Sequence, residues 1–209
     1  MTLPIIVLCF NSPMLITIID VLSQSGKVEI HAVVGIQIDR RYGSNLLKSI
    51  TVLPPSPRTD GQTVDIILAL AKSINAEALL PVWIDDVAFI SKNYDALLAA
   101  KPVPVPKKEL LEQLVNKLSF SKLANSFGFP TPKTIEMHPT LNVHDTINFL
   151  GLPILAKPVI GTGGKGIVEV SNEPALRTLL KSSRLGLKML LQEKVPGEDV
   201  ALTLLADKG

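Results

Sequence analysis

The 209-residue sequence predicts an α/β fold, in which a Rossmann-like unit with a mainly parallel sheet precedes a second unit carrying an antiparallel hairpin. Three observations carry this. Across residues 1–100, short β-rich runs alternate with segments of helical period. A proline run, Lys101-Pro-Val-Pro-Val-Pro106, then breaks the pattern, because proline cannot continue a helix and favours an extended connection. Beyond it, two strand-like runs flank a glycine-rich stretch at Gly161 to Gly166.

In the first unit the expected strands are Ile5 to Phe10, Val28 to Val34, Ser49 to Leu53 and Ala78 to Val82. Between them the helical period predicts Met14 to Ser23, Gln62 to Ile74 and Asp85 to Ala99. The third helix places Ile84, Val87, Ala88, Tyr94, Leu97 and Leu98 on one face. Its entry, Trp83-Ile-Asp-Asp86, reads as a helix cap through Asp85 or Asp86, or as a loop that sets specificity. The turn after the first strand, Phe10-Asn11-Ser12-Pro13, contains no glycine. A dinucleotide pyrophosphate needs close backbone approach there, so a cofactor-binding Rossmann oxidoreductase is disfavoured.

After the prolines, Leu110, Leu111, Leu114, Val115 and Leu118 form one amphipathic stripe. Phe120, Leu123, Ala124 and Phe127 form a second, stopped by Gly128 and Pro130. The pattern turns to β at Leu152 to Lys157 and again at Ile167 to Val170. A helix follows from Pro174 to Leu180, capped by Ser171 or Asn172, then a strand from Leu187 to Gln192. Val200 to Ala206 alternates as a further strand, and Asp207 to Gly209 has turn chemistry.

Composition removes several function classes. With 46% hydrophobic residues and a net charge of +2, the chain is neither disordered nor a general polyanion binder. Aromatics at 4% are too few for a base-stacking platform. Basic residues exceed acidic ones only beyond residue 100, which favours an anion site in the second half. The uncharged first 19 residues lack a basic leader, and Pro4 and Pro13 divide them, so a strand and a helix fit better than a signal peptide or membrane span. The single cysteine, Cys9, reads as a buried core thiol in a reducing, cytoplasmic compartment. His31, His138 and His144 have no metal-ligand spacing and read as core or solvated side chains.

The chemistry concentrates in Lys157-Pro-Val-Ile-Gly-Thr-Gly-Gly-Lys-Gly166. Gly161, Gly163 and Gly166 match a dinucleotide fingerprint, but that motif opens a helix and Ile167-Val-Glu-Val170 is β-branched. A Walker loop fails, because no Ser or Thr follows the lysine. The kinase flap fits in spacing, yet its lysine follows the loop, whereas Lys157 precedes it. What survives is a hairpin whose bare N–H groups can bend over phosphates, with Lys157 offering a point charge to the same anion. An ordinary glycine-rich hairpin with a solvated lysine has the same spacing.

At this point the sequence resembles the ATP-grasp family of ATP-dependent ligases over nearly its whole length. Asn116-Lys117 looks like the family's Asp-Lys, and Gly128-Phe-Pro-Thr-Pro132 resembles its Gly-x-Pro-x-Pro. Leu152-Pro-Ile-Leu-Ala-Lys-Pro158 is similar to its Pro-x-x-x-Lys-Pro strand, Gly161 to Gly166 to its phosphate flap, and Leu191 to Asp199 to its hinge. Each piece is weak, whereas the ordered set is specific.

The resemblance implies a Rossmann-like preATP-grasp domain at 1–106, connector helices and a first ATP-grasp subdomain at 107–190, and the start of a second at 191–209. It also implies nucleotide-binding residues. Lys157 and Lys117 would neutralise ATP phosphates beneath the flap of Gly161, Thr162, Gly163, Gly164, Lys165 and Gly166. In the hinge, Gln192 belongs to the same set, Glu193 would accept from the adenine amino group, and the backbone of Lys194 and Val195 would read the ring edge. Either Glu198 or Asp199 would hold the ribose. Magnesium is the implied metal, with its carboxylate ligands expected beyond Gly209; no catalytic residue is assigned. The expectation is therefore a cytoplasmic ATP-binding piece of a ligase, truncated or shortened and itself inactive, that activates a small carboxylate as an acyl phosphate. Its partners are nucleotide and carboxylate, not nucleic acid or membrane. A nucleotide-binding module without chemistry is the alternative.

Overall fold

The structure, a computed structural model, describes residues 2–35, 45–55, 59–182, 188–198, 200 and 202. The chain divides into two compact units after Leu111.

In the first unit the strand at Leu3–Cys9 is buried on both faces from Ile5 onward, which is why its sequence is almost continuously apolar. Strands β1 (Leu3–Cys9), β2 (Val28–Val34), β3 (Leu47–Val52) and β4 (Ala78–Pro81) form a parallel sheet in the order β3-β2-β1-β4. Ile5, Val7 and Cys9 on one face of β1 join the core that Leu15 and Ile19 of α1 (Met14–Gln24) complete. Ile6 and Leu8 on the other face meet Val64, Ile67 and Ala71 of α2 (Asp60–Ile74), which a Thr59–Gln62 capping box starts. Cys9 is a buried thiol, as its apolar surroundings in the sequence predict. His31, only 4% exposed, is satisfied inside the sheet by Ser49 Oγ at 2.7 Å and Glu29 Oε1 at 3.1 Å.

The third helix departs from expectation. Helix α3 covers only Ile84–Lys92, and a 3-10 turn at Asp95–Ala100 follows it. Its buried face is Asp86, Phe89 and Ile90, while Ala88 and Leu98 are exposed. The cause is Asp86. Its carboxylate accepts from Phe10 N–H at 2.7 Å, Trp83 N–H at 2.8 Å and Val82 N–H at 3.3 Å, which rotates the helix to bring an acid inward.

In the second unit, helices α4 (Lys108–Val115) and α5 (Lys117–Ser126) are separated at Asn116, whose side chain accepts from Leu118 N–H at 3.0 Å and Ser119 N–H at 3.1 Å. Leu118 therefore belongs to α5 rather than to the first stripe. The face expected on α5 is corrected too, since Phe120 and Phe127 are exposed and the buried position is Ser121, bonded to Thr131. Strand β5 (Thr134–Glu136) and helix α6 (Val143–Leu150), capped by Asn142, are additions to the sequence reading. Strands β6 (Ile154–Pro158) and β7 (Val168–Val170), helix α7 (Glu173–Ser182), with Asn172 accepting from Ala175 N–H, and strand β8 (Met189–Glu193) complete the unit. The sheet runs β5-β8-β6-β7 and is antiparallel throughout. The strand expected from Val200 to Ala206 lies outside the described residues, apart from Val200 and Leu202, which are exposed.

Candidate functional site

Alternation along the second sheet sorts its residues into two faces. Ile154, Ala156, Val170 and Leu191 point to a core closed by Val143 and Leu150 of α6 and Leu176 and Leu180 of α7. On the opposite face, register aligns Thr134, Gln192, Leu155 and Glu169 in one row across β5, β8, β6 and β7. Lys157 lies two residues further along β6, on the same polar face as Leu155.

Both candidate lysines are held there by neutral acceptors. The Lys157 ammonium donates to Gln192 Oε1. Lys117, at the start of α5, donates its backbone N–H to Val159 O at 3.0 Å and its ammonium to Gly161 O at 2.8 Å, tying the helix to the root of the flap. Among the described residues, neither ammonium is paired with a carboxylate. Burial, and then the neighbouring Lys117 charge, push the Lys157 ammonium below its ordinary proton affinity. Two cations held close, with no carboxylate partner among the described residues, favour an anion brought between them.

The flap is a hairpin. Strands β6 and β7 pair through Ile154–Val170, Leu155–Glu169 and Ala156–Val168, and no helix begins at Gly164, so the dinucleotide reading of the glycine pattern is excluded. All six loop residues, Gly161, Thr162, Gly163, Gly164, Lys165 and Gly166, are exposed. The tip needs glycine, because Gly163, Gly164 and Gly166 have φ of 64°, 71° and 78°.

The hinge residues lie at the end of β8. Glu193 already has a partner, since its Oε1 accepts from Lys133 N–H at 2.9 Å. Lys194 is bound to Glu169 Oε2 at 2.8 Å, so it is an ion-paired rather than a free lysine. Val195 and Glu198 are exposed, and Asp199 lies outside the described residues. The site thus holds two direct contacts, Lys117 to Gly161 and Lys157 to Gln192, and the charge of Lys117 acts on Lys157. The sequence reading did not name Thr134 and Glu169, the hydrogen-bonding residues at the two ends of the row. Alternation along Ile167-Val-Glu-Val170 is the signal that finds Glu169, whereas the three-residue strand at Thr134 offers none.

No protein-family model matches the chain, and no curated protein matches it in sequence. Solved structures do match in fold. An L-amino acid ligase from Bacillus licheniformis superposes with a TM-score of 0.64 at 17% identity, over 94% of this chain and 45% of the ligase. The ADP complex of purK, N5-carboxyaminoimidazole ribonucleotide synthetase, gives 0.64 at 14% identity over 94% and 48%. The biotin carboxylase domain of Hydrogenobacter thermophilus 2-oxoglutarate carboxylase, with MgADP, ADP and bicarbonate, gives 0.60 at 16% identity over 91% and 44%. These are ATP-grasp ligases, and the chain shares the fold of their N-terminal part. It spans less than half the length of each.

Proposed function

We propose that the polar face of the second sheet binds ATP, and that the chain is the nucleotide-binding portion of an ATP-dependent ligase that activates a carboxylate as an acyl phosphate. The convergence of Lys157 and Lys117 at the root of a glycine flap, with no carboxylate partner among the described residues, carries this reading. In the proposed complex the two ammoniums neutralise phosphate oxygens, and the flap's N–H groups close over them. Glu193 accepts from the adenine amino group through whichever oxygen Lys133 leaves available. The backbone at Lys194 and Val195 reads the ring edge, and Glu198 or Asp199 holds the ribose hydroxyls. The fold likeness to enzymes solved with ADP supports a nucleotide ligand. The described residues contain no group of three or more His, Cys, Asp and Glu that could hold a metal ion, so no step is assigned to magnesium. No helix among them is long and apolar enough to cross a membrane.

Isothermal titration of the 209-residue chain with a non-hydrolysable ATP analogue tests the reading. A lysine–phosphate hydrogen bond is charge-assisted and contributes roughly 1.5 to 3 kcal/mol, so Lys157→Ala weakens binding roughly 10-fold to 150-fold. Lys157→Arg restores only part, because a planar fork replaces a compact charge. Lys181→Ala is the control, since that side chain is exposed on α7, the helix that packs against the opposite, apolar face of the sheet. A Lys157→Ala protein that keeps its fold and its affinity removes the nucleotide-site assignment.

A further inference from the structure

We propose that Thr134 and Gln192 are positioning residues for Lys157, forming a one-way hydrogen-bond relay that presents an uncharged oxygen to its ammonium. The inference rests on the nucleotide reading for its purpose, but the relay itself stands on contacts within one unit.

Its direction is fixed at the far end. The Thr134 hydroxyl donates to Pro132 O at 2.8 Å, and a carbonyl can only accept. With its one proton spent there, the hydroxyl meets Gln192 as an acceptor, and Gln192 Nε2 donates to it at 2.7 Å. The amide is thereby oriented, and its oxygen faces Lys157 Nζ. Reversing the amide would set an NH2 group against an ammonium and an oxygen against a hydroxyl that has no proton left to give. Strand register brings the parts together, because Thr134 and Gln192 are direct partners and Lys157 stands one step diagonally from Gln192.

The choice of an amide has a chemical consequence. A carboxylate at position 192 would orient the lysine equally well, but it would neutralise the charge and compete with a phosphate for it. Glutamine fixes the direction of the ammonium and leaves its charge available to an incoming anion. The burial and like-charge repulsion already acting on Lys157 make this acceptor matter, since each weakens its hold on the proton.

Two readouts on the 209-residue chain test the proposal: titration of Lys157 followed by NMR of carbon-13-labelled lysine without nucleotide, and calorimetry with the ATP analogue. Thr134→Val, which keeps the shape and removes the hydroxyl, lowers the Lys157 pKa and weakens binding roughly 3-fold to 10-fold. Thr134→Ser restores both. Gln192→Glu moves the two readouts in opposite directions, raising the lysine pKa while weakening nucleotide binding, a combination that loss of folding does not produce. Circular dichroism checks that each variant is folded. If folded Thr134→Val leaves the lysine titration and the affinity unchanged, or Gln192→Glu binds the analogue as tightly as the parent, the relay is rejected. Failure of the nucleotide reading is separate: it appears as unchanged affinity in Lys157→Ala, while the nucleotide-free titrations still decide the relay.

Discussion

Asp86 is an acid whose side chain is enclosed, with three backbone N–H groups donating to it. Burial raises its pKa, and those donors offset the rise only in part. A native carboxyl with a raised pKa binds its proton more tightly than the unfolded chain does. Stability from this group therefore falls as pH climbs from the unfolded value of about 3.9 through the higher folded value, then levels off. Asp60 works in the opposite sense, because the Lys92 hydrogen bond lowers its pKa and its contribution is lost on acidification. A difference measurement separates the two. Asp86→Asn turns an NH2 group toward a backbone donor, so the parent is more stable by about 1–3 kcal/mol in acid. Urea unfolding at a series of pH values should show that margin narrowing as pH rises through the window; a widening margin would contradict the assignment. At this scale the sequence offered Asp85 or Asp86 as a cap. Choosing between them needs the position of Phe10 N–H, a contact spanning 76 residues that no local pattern contains.

The flap hairpin was legible as an element because β-branched residues follow the glycines, and a β-branched run resists the helix that a dinucleotide motif requires. Other elements were hidden for physical reasons. The stripe from Leu110 to Leu118 keeps helical spacing straight through Asn116, so periodicity passes over a break that the asparagine side chain makes. Asp85 to Ala99 reads as one helix because its apolar spacing does not register the stop at Asn93, whose side-chain amide donates to Phe89 O at 2.9 Å. Strand β5 has three residues, too short for alternation to stand out unaided. Within the flap the glycines are not equivalent. A Cβ at Gly164 would meet nothing within 4 Å, whereas one at Gly166 would lie 2.9 Å from Pro158 Cγ and 3.3 Å from Cδ. Both positions have positive φ, at a cost of roughly 1–2 kcal/mol for alanine. Gly166→Ala should therefore destabilise the chain more than Gly164→Ala, and thermal unfolding of the pair isolates the proline contact.

At the scale of the molecule, each unit closes its own core, and the alternation of β-rich and helical runs was enough to predict the parallel sheet of the first. The glycine-free first turn is unsuited to a dinucleotide, and the geometry supplies a further reason. In the order β3-β2-β1-β4, neighbours lie on either side of β1, and open α/β sheets of this kind take ligands in the crevice beyond the carboxyl ends of the strands where the order reverses. Phe10 follows β1 there, Val82 and Trp83 follow β4, and their N–H groups converge on the Asp86 carboxylate. The crevice thus carries a tethered anion of its own, at an effective concentration that a free solute at millimolar levels does not match. Cutting the tether should turn this internal contact into a binding site. In Asp86→Ala the three donors face a hole the size of a small carboxylate, so added formate should restore much of the lost stability in a saturable, dose-dependent way, while chloride at equal ionic strength should not. Thermal unfolding across a formate series measures this chemical rescue, and equal responses to the two salts would show that the donors had closed on themselves.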